Sequence, residues 1–207
     1  MEAFTRITAH AAPLMRANID TDQIIPTRFL VGPVDSWGSG LFAEWRTRPD
    51  GTGDPDFVLN RAPWSEAAIL VAGPNFGCGS SREAAPRALR QRGFRVLIAA
   101  GFGDIFYNNC FRNGVLPVRL PEAVVERIGA ALTADTCLLT VDLETSTVSV
   151  PATGEVHSFE SPPRMRRMLL QGLDEIALTL AHAGEIAQFR QADRARQPWA
   201  YLERAAP

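Results

Sequence analysis

No lysine occurs in this chain; all 21 basic side chains are arginine. That absence removes Schiff-base catalysis, a pyridoxal-phosphate lysine and the lysine of a P-loop together. Arginine offers instead a permanent charge on a planar fork that suits carboxylates and phosphates. Cysteine is also scarce. Cys78, Cys110 and Cys137 form neither a CxxC pair nor an even-numbered framework, so a reducing, cytoplasmic setting is expected. His10, His157 and His182 are scattered without metal-site spacing. No run approaches the ~18 apolar residues of a membrane span. The N-terminus has no basic region followed by an apolar stretch, so no signal peptide is expected. A net charge of −2 gives no drive toward nucleic acid or an anionic membrane.

What is present is enough for one domain with a substantial core: 207 residues, 46% of them hydrophobic. Thr5 to Ala12 alternates as a strand does. Asn18-Ile-Asp-Thr-Asp22 reads as a polar loop opening into Gln23 to Leu30, and Leu41 to Arg46 as a short helix between turn-rich segments. Ala68 to Ala72 and Phe94 to Ala100 read as buried strands. Between them Ser81 to Arg92 has helical spacing and stops at Gly93, where a left-handed cap is easy. A helix over Gly103 to Arg112, a strand over Val115 to Leu120 and an amphipathic helix from Pro121 continue the pattern. Cys137 to Leu143 and Thr147 to Val150 form a hairpin around Glu144-Thr-Ser. Arg164, Arg166 and Arg167 read as a solvated helix face, and Asp174 to Arg190 as helix broken near Gly184. The succession predicts an α/β fold, with a largely parallel sheet flanked by helices. It fills a single domain, 1–207, with a C-terminal helical extension from about 174.

One stretch concentrates chemistry: Ala72-Gly-Pro-Asn-Phe-Gly-Cys-Gly-Ser-Ser-Arg-Glu-Ala-Ala-Pro-Arg-Ala-Leu89. A nucleotide loop fits poorly, because Arg82 stands where a dinucleotide fingerprint wants its third glycine and no P-loop lysine exists. A metal site fits poorly too, since Cys78 has no clustered partners. The third reading uses the junction of strand and helix. Free amides and the helix dipole favour an anion there, Gly77 and Gly79 let backbone approach it, and Arg82 can clamp a carboxylate. A serine among such donors loses its proton more readily and can act as base or nucleophile. The competing structural reading is a capping box, Ser80-x-x-Glu83, with Pro86 forcing a kinked or late first turn.

Several long motifs stand in register with one family. Asn75-Phe-Gly-Cys-Gly-Ser-Ser-Arg-Glu83 follows Asn18-Ile-Asp-Thr-Asp-Gln-Ile-Ile-Pro-Thr-Arg-Phe-Leu30, and precedes Gly103-Asp-Ile-Phe-Tyr-Asn-Asn-Cys-Phe-Arg-Asn-Gly-Val-Leu-Pro117. Asp56-Phe-Val-Leu-Asn60 and Gly172-Leu-Asp-Glu-Ile-Ala-Leu-Thr-Leu180 keep the order. The chain resembles, over nearly its whole length, the small subunit of bacterial 3-isopropylmalate dehydratase. The resemblance implies an aconitase-type swivelling domain of β/β/α arrangement. It implies a hydro-lyase subunit, active only with an iron–sulfur large subunit, that isomerises 2-isopropylmalate to 3-isopropylmalate in leucine biosynthesis. It puts the 4Fe-4S cluster on that partner and no metal on this chain. Carried over, Ser80 is the catalytic base and Asp22 a supporting active-site residue. Ser81 and Arg82 bind substrate carboxylate, and Leu30 and Val31 face the alkyl group where tricarboxylate-handling relatives place an arginine. The alternative for Leu30 and Val31 is simple packing of a loop onto the core.

Two departures stand on the catalytic helix. The family reads Ser-Arg-Glu-His-Ala-Pro-Trp where this chain has Ser81-Arg-Glu-Ala84-Ala-Pro-Arg87. They leave two alternatives open: a paralogous hydro-lyase subunit for another alkyl malate such as 2-methylmalate, or a non-catalytic interaction subunit.

Overall fold

A computed structural model describes residues 1–201. Seven strands form one sheet in the order β4-β3-β2-β1-β5-β6-β7. They are β1 (Arg6–Leu14), β2 (Ile69–Ala72), β3 (Val96–Ala99), β4 (Leu116–Arg119), β5 (Leu138–Asp142), β6 (Thr147–Val150) and β7 (Glu155–Ser158). The first four are parallel neighbours; β1–β5, β5–β6 and β6–β7 pair antiparallel. Burial explains the division. Every residue of β2 and β3 is buried, as strands covered on both faces must be. Along β6 buried and half-buried residues alternate, the mark of a sheet wet on one side.

Helices α1 (Thr21–Ile24), α2 (Ala43–Arg46), α3 (Ala84–Gln91), α4 (Asp104–Arg112) and α5 (Glu122–Ala131) interleave with the strands. The helices α6 (Pro163–Gln171), α7 (Glu175–Leu180) and α8 (Ala183–Arg196) follow. The run β2-α3-β3-α4-β4 realises the expected parallel crossovers, and α5 packs against β1, β2 and β3. The C-terminal helical stretch breaks at Ala181 and His182, two residues before Gly184. Among the described residues no helix is long and apolar enough to cross a membrane.

The capping box expected at Ser80 does not form. Helix α3 begins at Ala84, with Glu83 as N-cap and no side-chain cap bond. Pro86 decides this. With the helix starting at Ala84 the ring lies in the first turn, where its missing N–H has no helical acceptor in any case. A start at Ser80 would bury the proline inside the helix and cost about 3 kcal/mol. A capping box does occur elsewhere: Asp20 accepts from the Gln23 amide at 2.7 Å, and the Gln23 side chain accepts from the Asp20 amide at 2.9 Å.

Candidate active site

The three chain segments leaving β1, β2 and β3 meet at one edge of the sheet, outside the carboxyl ends of the parallel strands, the usual place for ligands in such folds. The loop after β2 is stitched to both neighbours. Gly77 donates to the Ile19 carbonyl at 2.7 Å and Thr21 to the Cys78 carbonyl at 3.0 Å. On the other flank Phe76 donates to Gly101 and Gly103 to Phe76, both at 3.0 Å. Phe76, Phe102 and Phe106 cluster beneath, Phe76 edge-on to both others, with the Phe76 and Phe106 centroids 5.5 Å apart. Gly77, at φ +70°, leaves no room for a side chain: a Cβ there would lie 2.2 Å from Phe106 Cγ.

This scaffold holds Ser80 and Ser81 exposed at the surface. The Ser80 hydroxyl meets the hydroxyl of Thr21 at 2.8 Å, and Thr21 is buried. Arg82 Nη1 donates to Asp22 Oδ1 and, at 2.9 Å, to the Thr27 hydroxyl, which donates to the same Asp22 oxygen at 3.1 Å. Nε and Nη2 of Arg82 have no acceptor among the described residues, so one edge of the guanidinium fork stays free for a carboxylate. The amides of Ser80, Ser81, Arg82 and Glu83 likewise donate to nothing among the described residues. The Asp22–Arg82 pair is partly exposed and worth at most about 1 kcal/mol, so its use is to aim the fork rather than to stabilise the fold.

Ser80, Ser81, Arg82 and Asp22 thus come together as the sequence reading groups them. Thr21 and Thr27 escaped that reading. The signal was available for Thr21, since it opens the short helix capped by Asp20, but the segment reads as loop without its tertiary partner. Leu30 and Val31 lie on the 3-10 turn Thr27–Val31, which begins at the residue bonded to Arg82. Leu30 packs against the core, whereas Val31 is 89% exposed.

The cysteines do not assemble a metal site. Cys78 is half-buried on the loop; Cys110 is fully buried in α4, where burial pushes its thiol well above the ordinary range; Cys137 is buried before β5. Among the described residues no three His, Cys, Asp or Glu side chains converge.

Residues 1–123 match the model of the aconitase C-terminal domain, and residues 175–201 match that of the C-terminal domain of the 3-isopropylmalate dehydratase small subunit. The 3-isopropylmalate dehydratase small subunit of Gluconacetobacter diazotrophicus is 51% identical over 205 residues, covering 96% of this chain and 97% of the relative. That of Agrobacterium fabrum is 48% identical over 202 residues, covering 97% of this chain and all of the relative. The chain belongs to the 3-isopropylmalate dehydratase small-subunit family. The crystal structure of the Methanocaldococcus jannaschii 3-isopropylmalate dehydratase superposes with a TM-score of 0.63 at 25% identity, over 90% of this chain and 99% of that one.

The two departures from the family pattern are accommodated on α3. Ala84 is buried at the first helical position. The Arg87 guanidinium pairs with Glu83 at 3.0 Å and reaches Asn113 at 3.4 Å, and it lies 5.7 Å from the Trp37 ring centre. Its charge is paired with the N-cap residue of its own helix. One turn on, Gln91 ties α3 to the 3-10 segment Val34–Gly40: Gly38 donates to its Oε1 at 2.6 Å, and its Nε2 donates to the Val34 carbonyl at 2.8 Å. On the other side the Arg28–Glu44 ion pair holds the turn that carries Val31. Gln91→Ala is expected to raise the substrate KM about tenfold with kcat nearly unchanged, since two hydrogen bonds of about 1 kcal/mol each are lost from the segment that follows Val31 and none from Ser80. Steady-state kinetics of the assembled enzyme checks this.

Proposed function

We propose that this chain is the small subunit of a 3-isopropylmalate dehydratase, which isomerises 2-isopropylmalate to 3-isopropylmalate by dehydration and rehydration in leucine biosynthesis. It works only with an iron–sulfur large subunit, and in the cytoplasm. The observation that carries the reading is the juxtaposition of an exposed serine hydroxyl with an arginine whose free fork edge is aimed by Asp22 and Thr27. Arg82 takes a substrate carboxylate on Nε and Nη2, with Ser81 and the unpaired amides completing the anion site. Ser80 Oγ, as the alkoxide left once its own proton has passed to solvent, then accepts the proton from the carbon next to the departing hydroxyl. The electrons of that C–H bond form the carbon–carbon double bond as the C–O bond breaks. Rehydration runs the same transfers in reverse at exchanged carbons.

The cluster, held by the large subunit, supplies the Lewis acidity that the leaving hydroxyl needs. This chain offers, among the described residues, no group of side chains to hold it, so its own share is the base, the carboxylate clamp and the alkyl contact. Val31 is the residue whose free surface meets the isopropyl group. Because Arg87 is paired with Glu83, the departure at 87 leaves no unpartnered charge on α3.

The decisive assay reconstitutes the two chains anaerobically and compares 2-isopropylmalate with 2-methylmalate. A preference of about 10-fold or more in kcat/KM for the isopropyl substrate is expected, in line with about 1–3 kcal/mol for lost methyl contacts in an apolar pocket. Equal or reversed preference favours the paralogous alkyl-malate enzyme. No unsaturated product from either substrate favours the interaction subunit.

A further inference from the structure

We infer that Thr21 is the positioning residue of the catalytic base: its buried hydroxyl donates a hydrogen bond to Ser80 Oγ and stabilises the deprotonated serine. The inference rests on the reading of Ser80 as base. Thr21 is 1% exposed and its hydroxyl has no other hydrogen-bond partner among the described residues. A buried hydroxyl must place its proton somewhere, and Ser80 Oγ at 2.8 Å is the available acceptor. With Thr21 donating, the serine's own proton is released from this contact and points to the exposed side, where substrate arrives. When that proton passes to solvent water at the exposed side, the contact becomes a charge-assisted O–H···O⁻ bond, roughly twice as strong as the neutral one. Hydrogen bonding to the charged form favours that form, so the serine becomes easier to deprotonate.

The geometry of the donor is fixed by three independent constraints. The Thr21 amide donates to the Cys78 carbonyl at 3.0 Å, which locks its backbone to the serine loop. Its position opening α1 is set by the Asp20–Gln23 capping box. Its β-branched side chain has few rotamers to lose. Oδ1 of the neighbouring Asp22 accepts from both Arg82 and Thr27, so the two adjacent residues divide the work: Thr21 serves the base and Asp22 the clamp.

The test uses Thr21→Val, Thr21→Ser and Ser80→Ala in the complete two-chain enzyme. Valine keeps the shape and removes the hydroxyl. T21V is expected to lower kcat about 10²-fold, the usual loss for one donor to a developing oxyanion, with KM within about twofold. The primary isotope effect for substrate deuterated at the reacting carbon is expected to rise, because proton abstraction becomes slower relative to other steps. T21S, which restores the hydroxyl, is expected to recover kcat to within about fivefold of wild type. A T21V enzyme within threefold of wild type, with Ser80→Ala inactive, overturns the inference and leaves the base reading standing. Equal losses in T21V and T21S, with KM rising alongside, also overturn it by showing a packing role. An active Ser80→Ala enzyme sinks the base reading itself.

Discussion

Ser80→Ala is expected to lower kcat of the assembled enzyme by about 10³-fold, within the 10²–10⁴ that a positioned general base contributes. KM should change little, because the proposed carboxylate clamp is made by Arg82 and the loop amides rather than by the serine. The fold should not notice. Ser80 is exposed, it caps no helix, and its only side-chain hydrogen bond among the described residues is the one to Thr21. Thermal unfolding within about 1 °C of wild type and unchanged assembly with the large subunit are the controls. An alanine enzyme with turnover within tenfold of wild type would remove Ser80 from the chemistry.

Gly77→Ala carries the largest expected effect on stability. The residue sits at φ +70°, a conformation that costs an L residue about 1–2 kcal/mol. The added Cβ would also lie 2.2 Å from Phe106 Cγ, a ring that is 2% exposed, stacked on Phe102 and edge-on to Phe76. Overpacking of that kind costs about 1–3 kcal/mol. Together these give a loss of about 3 kcal/mol and a melting temperature lowered by roughly 6–12 °C for a chain of this size. Activity should fall with it, since a loop displaced by even ~1 Å can cost 10²-fold. Gly93→Ala is the matched control. It shares a positive φ, +96°, but a Cβ there has nothing within 4 Å, so only the backbone cost of about 1–2 kcal/mol should appear. Equal destabilisation by the two substitutions would show that the aromatic stack does not enforce glycine at 77.

Both predictions depend on a loop whose residues are conspicuous in the sequence but whose shape is not. The apolar runs that became β2 and β3 were legible because continuous burial demands continuous hydrophobicity. The stop at Gly93, the hairpin of β5 and β6 and the late start of α3 were legible from turn and proline chemistry. Strand β7 was not. Its residues Glu155-Val-His-Ser158 are half-buried or exposed, and they form a strand because β6 offers an edge, not because of any apolar pattern. The serine cap misled for the opposite reason: the spacing Ser80-x-x-Glu83 satisfies a local rule that Pro86 overrides three residues later.

The sequence by itself determined the chemical inventory: an arginine-only cation set, a glycine-framed Ser-Ser-Arg loop after a buried strand, and the family motifs that give the chain its reaction class. Only the tertiary structure decided which hydroxyl lies beneath Ser80 and which groups aim Arg82. Those partners, Thr21, Asp22 and Thr27, stand 55 to 60 residues earlier in the chain. Nothing in local periodicity encodes such a pairing. It arises because parallel strands bring the segments leaving β1 and β2 to the same edge of the sheet, where backbone hydrogen bonds fasten one to the other.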